Sequence, residues 1–230
     1  MQHTASKQIE MQQTWEELHA QNRFCPKYPN ELVVRWALTQ FPIKQNTKIL
    51  DLGCGAGRHA IFMAQEGFDV YATDISREGI NVTQNRAQEL GLKIQTKTNP
   101  AHLMDYPEDF FDGIVCYAVL YYGSKQDMET AIKKSFQSLK PGGKMFLVTR
   151  GDQDWRCRYG QKISSFEYHL TDLGNGTPAD SEKNMVQTFL TKNELIDLYK
   201  DFRKVTIETN HLSWSNGQFI DHDFLVFAEK

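Results

Sequence analysis

Ile49-Leu50-Asp51-Leu52-Gly53-Cys54-Gly55-Ala56-Gly57-Arg58-His59 is the stretch whose reading decides the fold of this chain. An apolar strand runs into three glycines spaced by single residues, and helical periodicity follows. Glycine at such a bend lets the backbone take positive φ and lets a ligand approach the main chain where a Cβ would collide. The unpaired N–H groups of the next helix's first turn point outward. The spacing predicts a socket for a nucleoside-shaped ligand.

A dinucleotide fingerprint wants glycine or alanine at the sixth position of G-x-G-x-x-G; counted from Gly53, that position holds Arg58. A phosphate-cradling loop needs Lys-Ser/Thr after its last glycine, and Arg58 and His59 stand there instead. NAD and ATP are therefore disfavoured. The next apolar run, Phe68-Asp69-Val70-Tyr71-Ala72-Thr73-Asp74, ends on an acid roughly 20 residues past the first glycine, where one βαβ unit returns a carboxylate to the ligand crevice. Asp74 is placed to accept from both ribose hydroxyls.

With both segments in view, the chain resembles the class I S-adenosylmethionine-dependent methyltransferases, in which ILDLGCGAGRH is the first motif and Ala72-Thr73-Asp74 the second. The likeness extends through Asp109-Phe110-Phe111-Asp112-Gly113-Ile114-Val115 and through Leu139-Lys140-Pro141-Gly142-Gly143-Lys144-Met145-Phe146-Leu147-Val148, about residues 47–149 in all. The GRH ending and Phe189-Leu190-Thr191-Lys192-Asn193-Glu194-Leu195 resemble the small-molecule branch with tellurite- and thiopurine-type enzymes. The resemblance implies an α/β fold: a doubly wound, Rossmann-like seven-stranded sheet of order 3-2-1-4-5-7-6, its last strand antiparallel. It also implies S-adenosyl-L-methionine as cofactor and in-line methyl transfer to a small-molecule acceptor.

The 230 residues suffice for one α/β domain with a full core. A single methyltransferase domain over 1–230 is expected: a helical lid over 5–42, a cofactor-binding core over 43–149, a substrate-facing insertion over 150–188, and a C-terminal helix and antiparallel strand pair over 189–230. Apolar residues at 40% and charged residues at 24% are globular averages. A net charge of −3 offers no positive reservoir for a nucleic-acid backbone. No run approaches the ~20 apolar residues of a membrane span, and the polar start MQHTASKQIEMQQ is unlike a secretory signal. A cytoplasmic monomer or homodimer is expected. Cys25, Cys54, Cys116 and Cys157 form no C-x-x-C pair, so no metal site is written in the cysteines and free thiols are expected.

Alternating short apolar runs and amphipathic segments predict strands near 47–52, 68–74, 92–97, 111–118, 143–149, 203–210 and 222–228. Helices are expected near 57–66, 76–90, 125–139 and 191–201, with Ser76, Ser124 and Thr191 at capping positions. In the lid, a polar helix surrounds Trp15 and Leu18, and a second follows Pro29 with Leu32, Val33, Trp36 and Leu38 as its apolar stripe. The insertion, rich in Gly, Asp and Asn with aromatics between, is too long for an idle connection.

Methyl transfer depends on alignment and drying of two reactants, so no side-chain nucleophile is required. Gly53, Gly55 and Gly57 are expected to admit the methionine and ribose parts of the cofactor. Cys54, a small buried hydrophobe, joins them, Asp51 orders the loop, and Asp74 with Ile75 meets the ribose. Arg58 suits a carboxylate partner or a surface ion pair. His59 reads as a packed histidine. Near Asn99 and His102, both counted with the cofactor site, the family often carries an acid that meets the adenine amino group; that acid is missing, leaving Asn99 or the backbone near Leu103 to substitute. Tyr117 is counted with the cofactor wall and Tyr121 with the acceptor. No Asn/Asp-Pro-Pro-aromatic follows the fourth strand, which argues against methylation of base or glutamine amino groups, and no acid stands there for a metal-dependent catechol type. Tyr28, before Pro29, is placed to cover the cofactor. If the acceptor is a hydroxyl, His169 is the candidate base. Two other readings stay open: a non-catalytic S-adenosylmethionine sensor or scaffold, and a nucleotide-dependent oxidoreductase.

Overall fold

The computed structural model describes residues 2–171, 173 and 177–230, the side chains of residues 2–8 excepted. Part of the Gly/Asn-rich insertion, Asp172, Gly174, Asn175 and Gly176, lies outside the described residues. The chain opens with α1 (Gln2–His19) and α2 (Glu31–Gln40), and then alternates β1 (Lys48–Leu52), α3 (Arg58–Gln65), β2 (Asp69–Asp74), α4 (Arg77–Glu89), β3 (Ile94–Thr98), β4 (Phe111–Tyr117), α5 (Lys125–Ser138) and β5 (Leu139–Arg150). An insertion carries β6 (Gln161–Lys162), β7 (Glu167–His169) and β8 (Val186–Thr188), and α6 (Lys192–Leu198), β9 (Lys204–Trp214) and β10 (Phe219–Glu229) close the chain.

Seven strands form one sheet in the order β3-β2-β1-β4-β5-β10-β9. Strands β1 to β5 are mutually parallel, while β10 runs antiparallel to both β5 and β9. The sheet order expected above is the one found, with β9 and β10 as the sixth and seventh strands. Period-two alternation sorts the side chains into two cores. Leu50, Leu52, Ile114, Cys116 and Leu147 join Met128 and Ile132 of α5 on one face; Ile49, Val70, Val115, Phe146 and Val148 join Trp36 of α2 and Met63 of α3 on the other. Burial on both faces is why these strands read as nearly continuous apolar runs.

The caps fall where the sequence places them. Ser76 Oγ accepts from Gly79 N at 3.0 Å, Ser124 Oγ from Asp127 N at 3.1 Å and Thr191 Oγ1 from Glu194 N at 3.3 Å. Strand β5 starts earlier than expected, at Leu139, because Pro141-Gly142-Gly143 is absorbed as an irregularity: Phe111 pairs with Leu139 but Gly113 with Lys144. The three-stranded antiparallel sheet β6-β7-β8 within the insertion adds to the expected elements; its strands are too short for periodicity to register. Among the described residues no helix is long and apolar enough to cross a membrane. All four cysteines are free.

Candidate cofactor and acceptor cavity

At the C-terminal ends of β1 and β2 the chain bends sharply. Gly53 N and Cys54 N both donate to Thr73 O, at 2.7 and 2.9 Å, which draws the glycine loop across the end of β2. Asp51 Oδ2 accepts from Ala60 N at 3.0 Å, tying the strand end to α3. Burial pushes the Asp51 carboxyl up to about 7, against that bond and the nearby Arg58. Asp74 takes Gly55 N on Oδ2 and Ser76 N on Oδ1, both at 2.8 Å. Its burial raises its pKa, opposed by His19 and by the two N–H donors.

The glycines do their work differently from the expectation. A Cβ on Gly53 would lie 2.4 Å from the Val119 methyls, and one on Gly57 2.5 Å from Thr83 Oγ1. The space beside these two residues is filled by protein, not left for a ligand. With φ of +78° and +79° they are required by the left-handed backbone and by close packing.

Helix α1 closes this end of the crevice. The Glu16 carboxylate sits on the start of α4, accepting from Arg77 N at 2.8 Å, Glu78 N at 2.7 Å and Ser76 Oγ at 3.1 Å. An acid at a helix N-terminus satisfies otherwise orphaned N–H groups and meets the positive end of the helix dipole. One turn on, His19 is buried over the glycine loop, and burial holds its imidazole below its ordinary pKa. The Arg86 guanidinium donates to the carbonyls of Cys25, Pro26 and Ala56, at 2.6, 3.0 and 2.8 Å, fastening the turn after α1 to the loop.

These elements border a cavity of about 690 Å³. Its wall brings together Gly53, Cys54, Gly55, Arg58, Asp74, Ile75, Asn99, His102, Tyr117 and, from the insertion, His169. Five of the sequence candidates stand outside it. Asp51 and Gly57 act behind the loop. Tyr28 is 76% exposed beside Lys27. Leu103 is 49% exposed, with its carbonyl accepting from Asn99 Nδ2 and its N–H donating to Pro100 O, both at 2.9 Å. Tyr121 is buried beneath the Arg150 guanidinium, 4.3 Å from its ring centroid, and burial pushes its phenol up to about 12. The neighbouring Tyr122 lines the cavity in its place. Sequence reasoning places Trp15 in the lid and passes over His19, Asp127 and Glu167; all four reach the wall from elements distant in the chain.

The wall suits an adenosyl-sulfonium ligand. His19 Nδ1 and His59 Nε2 are buried polar atoms with no hydrogen-bond partner, and both side chains belong to the lining. Burial, with Arg58 beside it, pushes His59 down to about 3, so it stays a neutral imidazole against the edge of Tyr117. With Asp74, Asp127 and Glu167 in its lining, the wall fits a cationic nucleoside better than a polyphosphate.

The insertion is bolted to the sheet by buried charge. Glu182 bridges Arg150 Nη2 and Arg156 Nε, each at 2.6 Å, and accepts Tyr122 Oη at 2.8 Å. Arg156 also meets Asp154 and Asp221, and Arg150 donates to Gln187. Burial alone would raise the Glu182 pKa; the two guanidiniums and the hydrogen bonds overcome it and hold the carboxyl down at about 2.

Residues 49–143 match the family model described as a methyltransferase domain. A ubiquinone biosynthesis O-methyltransferase of Bartonella tribocorum is 30% identical over 189 residues, covering 80% of this chain and 74% of the relative. Among solved structures, a SAM-dependent methyltransferase of Methanosarcina mazei superposes with a TM-score of 0.69 at 24% identity, over 88% of this chain and 98% of that one. TehB of Haemophilus influenzae shares the fold with a TM-score of 0.63 at 21% identity, over 88% of this chain and 62% of its own. Cradle, sheet order and sequence kinship agree, and the chain belongs to the class I S-adenosylmethionine-dependent methyltransferases.

Proposed function

We propose that this enzyme methylates an oxygen of a small hydroxylated acceptor held between the cofactor cradle and the insertion. The observation that carries the proposal is one continuous cavity, with Asp74 and the glycine loop on one wall and His169, Tyr122 and Trp15 on another. The Bartonella tribocorum relative, named an O-methyltransferase, supports oxygen as the atom. The lid, core and insertion over 5–42, 43–149 and 150–188 then divide the work into closing, cofactor holding and acceptor holding. The four free thiols support a cytoplasmic setting.

When bound, S-adenosylmethionine supplies an electrophilic methyl group and departs as its neutral thioether. Everything else falls to the chain. Asp74 fixes the ribose, α1 and the insertion exclude water, and Trp15 and Tyr122, packed edge to face with ring centroids 4.9 Å apart, offer a joined aromatic surface against which a flat acceptor lies. His169 Nε2 lies 3.2 Å from Asn184 O; with Nε2–H donating to that carbonyl, Nδ1 keeps a lone pair for the acceptor's hydroxyl proton. The test is S-adenosylhomocysteine release over a panel of small phenols, alcohols and amines. Turnover confined to hydroxyl acceptors, with kcat reduced about 10²-fold or more in His169→Gln and its acidic limb lost, is expected. Turnover confined to amines, or a His169→Gln variant with an unchanged pH profile, overturns the assignment.

A further inference from the structure

We propose that His102 and Asp127 together read the amidine edge of the cofactor's adenine, so that the acid recognising the 6-amino group comes from α5 and not from the loop after β3. The inference rests on the assignment of the crevice to an adenosyl cofactor. Asn99 is fixed in the turn, its side-chain amide donating to Leu103 O at 2.9 Å and its backbone N–H to Asp74 O at 2.8 Å, so it has only a neutral Oδ1 to offer the 6-amino group, where Asp127 offers a carboxylate. His102 and Asp127 both line the cavity, and His102 Nε2 lies 3.8 Å from Asp127 Oδ1. The other carboxylate oxygen, Oδ2, accepts Ser124 Oγ at 2.8 Å, while Asp127 N donates back to Ser124 Oγ at 3.1 Å. That reciprocal cap fixes the carboxylate and turns Oδ1 toward His102.

A donor and an acceptor thus stand side by side on one wall. Adenine presents the complement, an acceptor at N1 beside the donor 6-amino group. Topology places the base here. Asp74 at the end of β2 holds the ribose, and the acceptor occupies the insertion's side. The wall left for the base is the turn following β3, packed on α5. Ala101, Leu120 and Met128 on the same wall supply the apolar surface that the faces of a purine need.

Hypoxanthine inverts the edge, with a carbonyl at C6 and a proton on N1, so S-inosylhomocysteine is the discriminating probe. Calorimetry on the full chain should show S-adenosylhomocysteine binding about tenfold or more tighter than the inosyl compound, the worth of one well-placed hydrogen bond. In Asp127→Asn, whose amide donates where the carboxylate accepted, that ratio should fall toward one or invert. His102→Gln, which leaves the α5 cap untouched, should also narrow it. Because the readout is a ratio of two ligands on one protein, a general loss of folding does not imitate it. Equal weakening of both ligands, or an unchanged ratio, overturns the proposal. So does an unchanged affinity for S-adenosylhomocysteine with a fallen kcat, which would assign the pair to the acceptor. Wild-type protein that binds neither compound defeats the cofactor assignment itself.

Discussion

Around the glycine loop, carboxylates are answered by backbone N–H groups: Asp51 by Ala60, Asp74 by Gly55 and Ser76, Glu16 by Arg77 and Glu78. Across the cavity, in the insertion, Glu182 is answered by two guanidiniums, and Asp154 and Asp221 gather on Arg156. At Asp51 and Asp74 the first arrangement needs only a strand, a tight bend and a helix start within one βαβ unit, while Glu16 reaches the start of α4 from α1. The second needs side chains from β5, from the short helical turn after it, from residue 182 and from β10 to arrive together. A donor fixed in the main chain cannot swing away, whereas a buried ion pair is held only as long as every partner is present.

The largest break in that contrast is Glu182→Ala. Removing Glu182 takes from Arg150 its ion-pair partner and leaves Arg156 with Asp154 and Asp221, and a loss of about 3–5 kcal/mol is expected, measured by denaturant unfolding. Cofactor affinity in the fraction still folded should change far less than acceptor turnover, because the glycine loop uses none of these side chains. Acid should act on the same group. With a carboxyl at about 2 when folded against 4.5 as the ordinary value, Glu182 stabilises fully above pH 4.5. That stability, up to roughly 3 kcal/mol, is lost as pH falls toward 2. Unfolding curves of wild type and Glu182→Gln should therefore converge on acidification; parallel curves would remove the charge cluster from the account.

Gly53→Ala is the counterpart on the other wall. A side chain at φ +78° is strained, and its Cβ would push Val119, itself part of the lining, into the cavity. About 1–3 kcal/mol of stability should go, with a weakening of S-adenosylhomocysteine binding that calorimetry resolves. The smallest effect is expected at Gln218→Ser, on the exposed tip of the β9–β10 hairpin. A stability change within about 0.5 kcal/mol and unchanged turnover would mark that tip as remote from both halves.

The same contrast explains how much of the molecule is legible in its sequence. The bend at Gly53–Gly57, the acid at Asp74 and the caps at Ser76, Ser124 and Thr191 are local devices, and residue type at fixed spacing names them. The sheet order follows from family resemblance, since alternation alone predicts only a doubly wound sheet. Tyr121 and Tyr122 show where reading fails: adjacent residues after β4, of which one lies under Arg150 and the other faces the cavity. Their fate is set by Arg150 and Glu182, 28 or more residues away, and no pattern near residue 121 carries that information. Tyr28 reads as a cofactor cover because of Pro29 and stands exposed; Trp15, read as part of the polar helix of the lid, lines the cavity, and beside it so does His19, which no pattern in that helix singles out.

Glu16 carries a consequence for ligand choice. Two main-chain N–H groups at the start of α4 would otherwise attract an anion beside the ribose site, and the protein has already filled them with its own carboxylate. A ribose bearing a phosphate on its 2′ or 3′ oxygen would approach a negative charge with its donors taken, next to a second acid at Asp74. The N-terminal helix thus installs at the start of α4 an intramolecular mimic of a phosphate, and like charge would meet a phosphorylated ribose there.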